Sequence, residues 1–489
     1  MNTLTNCNAS SLDVYTPSTE KPWNLKRAKH LYRRLCFGAS YETLENALLE
    51  NPTDIVDNLI TEALSRPITE DPGWGFLDKD GILETYEDTY RNAASNELLD
   101  IFVEDARTGG LRPQLVLFWS NHFVTEYSDF DAPAYLYQQH IMRQTYALGN
   151  FKEFVRAVGL DKAMLTYLNG DENIAAEPNE NYARELFELF TLGVDNGYTE
   201  FDIQETSRAL TGYTTIVSEW GEIIFNEATF DSGDKTIFGQ TGNWGYDDVI
   251  EILFEQKTSL IANFICGELY KHFVSPVVNE AIISTLAETL IENDFELAPM
   301  LSQLFKSEHF FDEACIGTII KSPFDLLVNL QAELEMDYSA SEDYEINEST
   351  RNFFGFLDYS PFQPPTVAGW PGDTEWLNAI SLTERWLRMR HQLIYQNDAD
   401  TSVYENFPLK FPNPDPSDPD FIAMEMVNHF LSHNLIHGDE YDDAIDAFKS
   451  GVPENYFTSN LWDITHPDVP TQVFNLLKHI IQIPEFQLK

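Results

Sequence analysis

Pro178-Asn179-Glu180-Asn181-Tyr182-Ala183-Arg184-Glu185-Leu186-Phe187-Glu188-Leu189-Phe190 restricts the fold more than any other stretch. At about 100° per residue, Glu180, Asn181, Arg184, Glu185 and Glu188 fall within about 140° of arc. Tyr182, Ala183, Leu186, Phe187, Leu189 and Phe190 fill the opposite side. Pro178-Asn179 supplies a start signal with Asn179 as the cap, and Gly193 supplies a stop. The spacing predicts a helix whose apolar half needs a larger body to bury it. It places an acidic, amide and arginine cluster on one rigid element, and leaves open whether water or a cleft faces that cluster.

Helical periodicity recurs along the chain. Ala28, Leu31 and Leu35 mark a helix over 24–35, whose polar side holds Lys26, His30, Arg33 and Arg34. Ser40 is placed to cap a second helix, and residues 54–64 form a third. Two helices are expected between 86 and 124, split at Thr108-Gly109-Gly110. Others follow over 134–148, 151–159, 200–210, 246–273 and 279–310, and again at 383–395. The run from Thr214 to Phe230 reads as a β-hairpin with Gly221 in its turn. Prolines and glycines make 361–373 a loop. The expectation is a mainly α protein: a large multi-helix body with one short β-hairpin and a small C-terminal helical unit. Its divisions are a polar lead over 1–22, a helical domain over 23–400, a Pro/Asp-rich linker over 401–419 and the terminal unit over 420–489.

Composition narrows the partners. Acidic residues outnumber basic ones 80 to 30 in 489 residues, a formal charge of −50 that repels nucleic-acid phosphates and anionic membrane surfaces. Acidity on this scale also fits a salt-adapted host. No run of about 18 apolar residues predicts membrane insertion, and Met1 to Pro22 lacks a secretory pattern. The default compartment is therefore the cytoplasm, with export left open. Cys7, Cys36, Cys266 and Cys315 show no paired metal spacing and leave the disulfide state open.

Three carboxylates bracketing Arg184 could hold a divalent cation or position a general acid and base. Read plainly, the same spacing makes a solvated face of i,i+4 ion pairs. Arg208, with Glu205 before it, is a partner for that cluster, as are Arg33 and Arg34. His122 lies among Trp119 and Phe123 on an apolar helix, where a histidine is either a core residue or a functional group. Asp231 and Lys235 either share its pocket or occupy turns. His429, His433 and His437 stand at i, i+4 and i+8, but packing between Phe430 and Leu435 argues against zinc, and no metal site is expected there. Trp370 and Trp376 either offer faces to a sugar ring or pin a rigid turn. No nucleotide fingerprint or nucleophile elbow is present.

An ordered set of short motifs carries a family resemblance. It comprises His30-Leu-Tyr-Arg-Arg34 with Phe37-Gly38, Trp119-Ser-Asn-His122-Phe123, Ala147-Leu-Gly-Asn-Phe151 and the Pro178–Phe190 segment. Tyr198-Thr-Glu200, Arg208-Ala-Leu-Thr-Gly212, Lys235-Thr236 with Gly239, and Pro364-Pro365…Gly369-Trp370-Pro371-Gly372 complete it. Together they resemble the large bacterial family catalogued as domain of unknown function number eighteen-hundred, and the ending Pro484-Glu-Phe-Gln-Leu488 is similar to members from the Bacteroidetes lineage. The resemblance implies a partner encoded by a neighbouring gene of another uncharacterised family, with a role in surface or polymer metabolism. Relatives often carry histidine where Ser120 stands and a His-Asp pair where Phe230-Asp231 stands, so a histidine-metal mechanism is not implied for this chain. The combined expectation is a polar cleft built from His30, Arg33, Arg34, His122, Asn179, Glu180, Asn181, Arg184, Glu185, Glu188 and Arg208. In an enzyme acting on a surface polymer or polysaccharide, of hydrolase or lyase type, Glu180 or Glu185 would be the acid/base. His122 would orient, and Arg184 would anchor substrate. In a non-catalytic partner protein the same network would hold a scaffold.

Overall fold

A computed structural model describes residues 10–86, 90–215, 220–336, 344–435 and 437–489. Among them, helices account for 61% and strands form only two antiparallel two-stranded sheets, so the fold is mainly α. Capping residues set many of the boundaries. Asn24 accepts from the Arg27 amide to open helix Leu25–Cys36, and Ser40 accepts from Thr43 to open Tyr41–Ala47. Gly109 and Gly110 separate Tyr90–Thr108 from Leu111–His122. β1 (Tyr213–Thr215) pairs with β2 (Ile223–Phe225), setting Tyr213 opposite Phe225; residues 216–219 of the expected hairpin lie outside the described residues. A second hairpin, β3 (Lys235–Ile237) with β4 (Gln240–Gly242), was not anticipated, because three-residue strands are too short to show a period of two.

Two large apolar clusters form the interior. One gathers Leu31, Leu35, Trp119, Phe151, Phe187 and Leu253 with most of the chain up to Cys315. The other joins Phe37, Phe102 and Phe324 to the C-terminal helices through Met426, Leu476 and Phe486. Tyr404, Phe407 and Phe411, in the proline-rich stretch over 401–419, are buried in this second cluster, so that stretch is anchored by three aromatic rings.

Helix Leu25–Cys36 runs between the two clusters. Its apolar side enters the first, and Arg27, Lys29, His30, Arg33 and Arg34 on its cationic side are buried as well, while Lys26 pairs with Glu313 nearer the surface. Lys29 donates to the carbonyls of Asn428 and Leu431, and Arg33 Nη2 donates to that of His429. These oxygens belong to the end of helix Pro419–Phe430, where unpaired carbonyls and the helix dipole favour a cation. Arg33 also grips Glu333, the last residue of helix Pro323–Glu333, through Nε at 2.5 Å and Nη2 at 2.8 Å. Both side chains of that pair are 1% exposed. Arg34 Nη2 donates to the Cys315 carbonyl at 3.0 Å and to Thr318 at 2.9 Å, and burial lowers its pKa to about 9. His30 Nε2 donates to the Phe310 carbonyl at 2.9 Å. His30, Arg33 and Arg34 are thus interior struts and not part of an open polar cleft, because the polar side of their helix meets protein carbonyls instead of water.

The helical spacing assumed for the three late histidines also gives way. Helix Pro419–Phe430 stops one residue past His429, and Leu431 is extended. His429 and His433 then donate to the carbonyls of Glu333 and Ile316 respectively.

Two measurements test this interior. Removing Arg33 strands the Glu333 carboxylate in the core, so Arg33→Ala should cost about 3–5 kcal/mol in urea unfolding; a loss below about 1 kcal/mol would mean that the pair is solvated. Burial also holds His122 and His429 near pKa 4, His140 and His272 near 3, and His30 well below its ordinary value. Unfolded, each takes a proton near pH 6.5. Their stabilisation is therefore full above pH 6.5 and lost as pH falls towards the folded values, by up to about 1.4 kcal/mol per pH unit for each histidine. The urea midpoint should drop between pH 7 and pH 5, and a flat profile would contradict the burial of these rings.

Candidate functional site

The Pro178–Phe190 segment builds its helix in two parts. Asn173, itself buried, accepts from the Asn179 amide at 2.8 Å, and the Asn179 side chain accepts from the Asn181 amide at 2.9 Å, which starts helix Asn181–Glu185. From Leu186 to Thr191 the helix widens into a π-turn. Leu192 and Gly193 both donate back to the Phe187 carbonyl, and Gly193 makes the stop at φ +93°. The Phe190 carbonyl, in the last turn, receives His122 Nε2 at 3.0 Å. A carbonyl only accepts, so Nε2 carries the proton and Nδ1 holds the lone pair. Burial lowers the His122 pKa to about 4 against the opposing pull of Glu268, and the ring packs 5.7 Å from Phe118 and 6.1 Å from Phe264.

His122 lines a cleft of about 640 Å³ that opens where the two apolar clusters meet. One wall is the loop over 361–373. Asn121 fixes it, accepting from the Trp370 amide at 2.7 Å and donating to the Trp370 carbonyl at 3.2 Å. Tyr359, Trp370 and Trp376 gather there, with Trp370 4.8 Å from Tyr359 and 6.2 Å from Trp376. Glu188 and Glu268 contribute carboxylates, the first bonded to Arg184 and the second to Lys271 at 2.7 Å. The far end holds Asp325 and Lys489, 2.6 Å apart and nearly buried. Burial alone would raise the Asp325 pKa, but Lys489 and the Ser322 hydroxyl outweigh it and hold it low. Ser120 borders the same space and donates to the Leu117 carbonyl.

The expected site residues separate into four groups. His122, Glu188 and Trp370 share the cleft. His30, Arg33 and Arg34 are the interior struts described above. Glu180, Arg184 and Glu188 form a ladder that Glu200 extends, with Arg184 2.8–3.0 Å from both Glu200 oxygens. Arg184 thus reaches beyond its own helix, and at 32% exposure it remains open to solvent. Pairs of this exposure contribute about 0–1 kcal/mol. Its guanidinium also fills the space in which a divalent cation at this cluster would sit, and among the described residues no group of three or more acidic, histidine or cysteine side chains is arranged for a metal. Glu185 is buried on the same helix, where burial and then Glu188 raise its pKa; Asn181 is exposed. Neither Glu180 nor Glu185 lines the cleft.

Arg208 belongs to the fourth group. It holds Asp231 at 2.8 Å and Glu205 at 2.8 Å instead of the ladder. Buried Lys235 donates to the carbonyls of Asp231 and Trp244 and stands 4.3 Å from the centre of the Phe230 ring. These bonds pin the second hairpin to helix Glu200–Ala209 (Glu205 also takes the Thr236 amide at 2.7 Å) and hold Asp231 and Lys235 apart from His122.

Sequence reading missed Arg143, Glu268, His272, Asp325 and Lys489, all of which line the cleft. Only Asp325 carried a readable signal, since Ser322-Pro323-Phe324-Asp325 is a capping box ahead of an apolar run.

Gly369 tests the loop anchor. It sits at φ +78°, and a Cβ there would come 2.5 Å from Asn121 Oδ1 and 2.8 Å from the Asn121 carbonyl. Gly372, at φ +72°, has nothing within 4 Å of the same position. Gly372→Ala should therefore cost only backbone strain, about 1 kcal/mol, while Gly369→Ala should cost about 2–3 kcal/mol and shift tryptophan emission to the red. Equal effects of the two variants would mean that the Asn121 clamp does not hold the loop.

No helix among the described residues is long and apolar enough to cross a membrane. No curated protein and no solved structure matches the chain. One family model does, over residues 30–488, and its description is "Protein of unknown function (DUF1800)". The motifs that build the cleft fall inside that span, and the chain belongs to this family.

Proposed function

We propose that the cleft is the functional site and that it binds a segment of carbohydrate from a surface or extracellular polymer. The supporting observation is convergence. Trp119-Ser-Asn-His122, the helix ending at Phe190 and the Pro364–Gly372 loop lie far apart in sequence, yet Asn121, His122, Glu188 and Trp370 from these three segments line one space. Its size suits a ligand of several rings' reach. Its chemistry suits a sugar: apolar ring faces on Tyr359, Trp370 and Trp376, with amide, imidazole and carboxylate groups beside them to meet hydroxyls.

Recognition is the better supported activity, because Glu188 and Glu268 are each already paired with a cation. A catalytic reading rests on His122, whose Nδ1 lone pair makes it a proton acceptor beside Asn121 and Trp370. In a partnership with a neighbouring-gene product, this chain would supply the polymer-gripping part.

Isothermal titration with neutral oligosaccharides tests the reading. Trp370→Ala should weaken binding about tenfold or more at a temperature where the variant stays folded, in keeping with the loss of one aromatic stacking face. Release of new reducing or unsaturated ends by the wild type, abolished in His122→Ala, would move the assignment from binding to catalysis. Absence of binding across a broad oligosaccharide panel would remove the carbohydrate reading.

A further inference from the structure

Arg143 lies on helix Pro133–Tyr146, is 3% exposed and borders the cleft. Its Nη2 donates to the Phe123 carbonyl at 3.1 Å, one residue past His122, and its Nε is buried with no acceptor. No carboxylate among the described residues closes an ion pair with it. Asp161, the acid whose charge it feels, is held elsewhere, accepting from Gln139 Nε2 at 3.0 Å and from the Met164 amide at 3.0 Å.

Most other buried cations are better supplied, and Lys321, which has the Asn329 side-chain oxygen and the Phe486 ring, does not line the cleft. Arg33 has Glu333, Lys489 has Asp325, and Arg385 has both the Gln487 side chain and the Lys321 carbonyl. Arg34 has two oxygens and does not line the cleft. Arg143 has one. In a chain with 80 acidic residues against 30 basic ones, a guanidinium left with a single neutral acceptor beside the main cavity carries a desolvation cost that an incoming anion would relieve.

We propose that the carbohydrate held in this cleft carries an isolated anionic substituent, a carboxylate or a sulfate ester, and that Arg143 receives it. This rests on the carbohydrate reading above. The planar guanidinium fork suits both groups, since each presents paired oxygens. The charge of the whole chain adds a condition. A field of −50 opposes the approach of a densely charged polyanion, whereas a single charge is screened beyond about 8 Å at physiological salt until it meets the fork. The ligand is therefore a sparsely charged glycan.

The test is calorimetric titration of the full chain at physiological salt with three tetrasaccharides: cellotetraose, a tetrasaccharide bearing one glucuronate, and one bearing a single sulfate ester. One charged ligand should bind at least about tenfold more tightly than the neutral one, and which of them does so identifies the substituent. Arg143→Gln should erase that preference and keep the affinity for cellotetraose; Arg143→Lys, which keeps the charge without the fork, should retain part of it. Equal affinity for all three in the wild type, or a preference that survives Arg143→Gln, overturns the anion site and leaves the carbohydrate reading standing. Failure of all three to bind overturns the anion site as well, while the carbohydrate reading stands or falls on the broad oligosaccharide panel. Should Arg143→Gln not fold, the wild-type preference together with Arg143→Lys decides.

Discussion

The grip of Arg33 on Glu333 and on the carbonyl end of helix Pro419–Phe430 is the contact on which the rest of the molecule depends. It joins residues about three hundred and four hundred positions apart across the boundary between two apolar clusters. A charge pair so deep gains little net stability, because desolvation offsets most of its attraction. What it adds is geometry. Each partner has one low-energy place to be, and the helices that carry them are set relative to one another accordingly. Helix Pro323–Glu333 is held in this way at its Glu333 end, and at its other end it presents Asp325 to the cleft.

The cleft is a product of that alignment. Its walls come from both clusters, so neither half alone would enclose it. The Asn121 clamp on Trp370 then converts a proline- and glycine-rich loop into a fixed aromatic wall using two hydrogen bonds from one amide. The reciprocal pairing leaves Trp370 little freedom to swing away, so little ordering of this wall is left for a binding event to supply.

Much of the fold was legible in the residues. The helix read over 24–35 announced itself by Ala28, Leu31 and Leu35, and the stop at Gly193 by its need for positive φ. What could not be read was direction. A helical wheel separates polar from apolar, but it takes the polar side to face water, and Lys29, Arg33 and Arg34 face carbonyls supplied by distant segments. The candidate site was half legible for the same reason. His122, Glu188 and Trp370 stand in recognisable motifs, whereas the approach of Lys489 to Asp325 spans 164 positions and leaves no local mark. Arg143 sits in an unremarkable helical pattern, and its importance lies in what fails to pair with it. Glu180 and Arg184 drew attention by local density, yet density on one helix is also what an ordinary surface ladder produces.

The π-turn at Leu186–Thr191 has a consequence for how this sequence can change. Such a turn is equivalent to one residue inserted into an α-helix, and it persists where a neighbour makes use of the displaced backbone. Here the neighbour is His122, whose ring proton goes to the carbonyl of Phe190. The insertion and the histidine are thus two halves of one structural event. A lineage that removed the extra residue would swing the Phe190 oxygen by about a third of a turn and leave the imidazole without its anchor. A lineage that lost the histidine would leave the Phe190 oxygen without its side-chain donor, and the turn would rest on the bonds of Thr191, Leu192 and Gly193 to the Leu186 and Phe187 carbonyls. The length of this short segment therefore bears on where the His122 ring is anchored as directly as the identity of any residue within it.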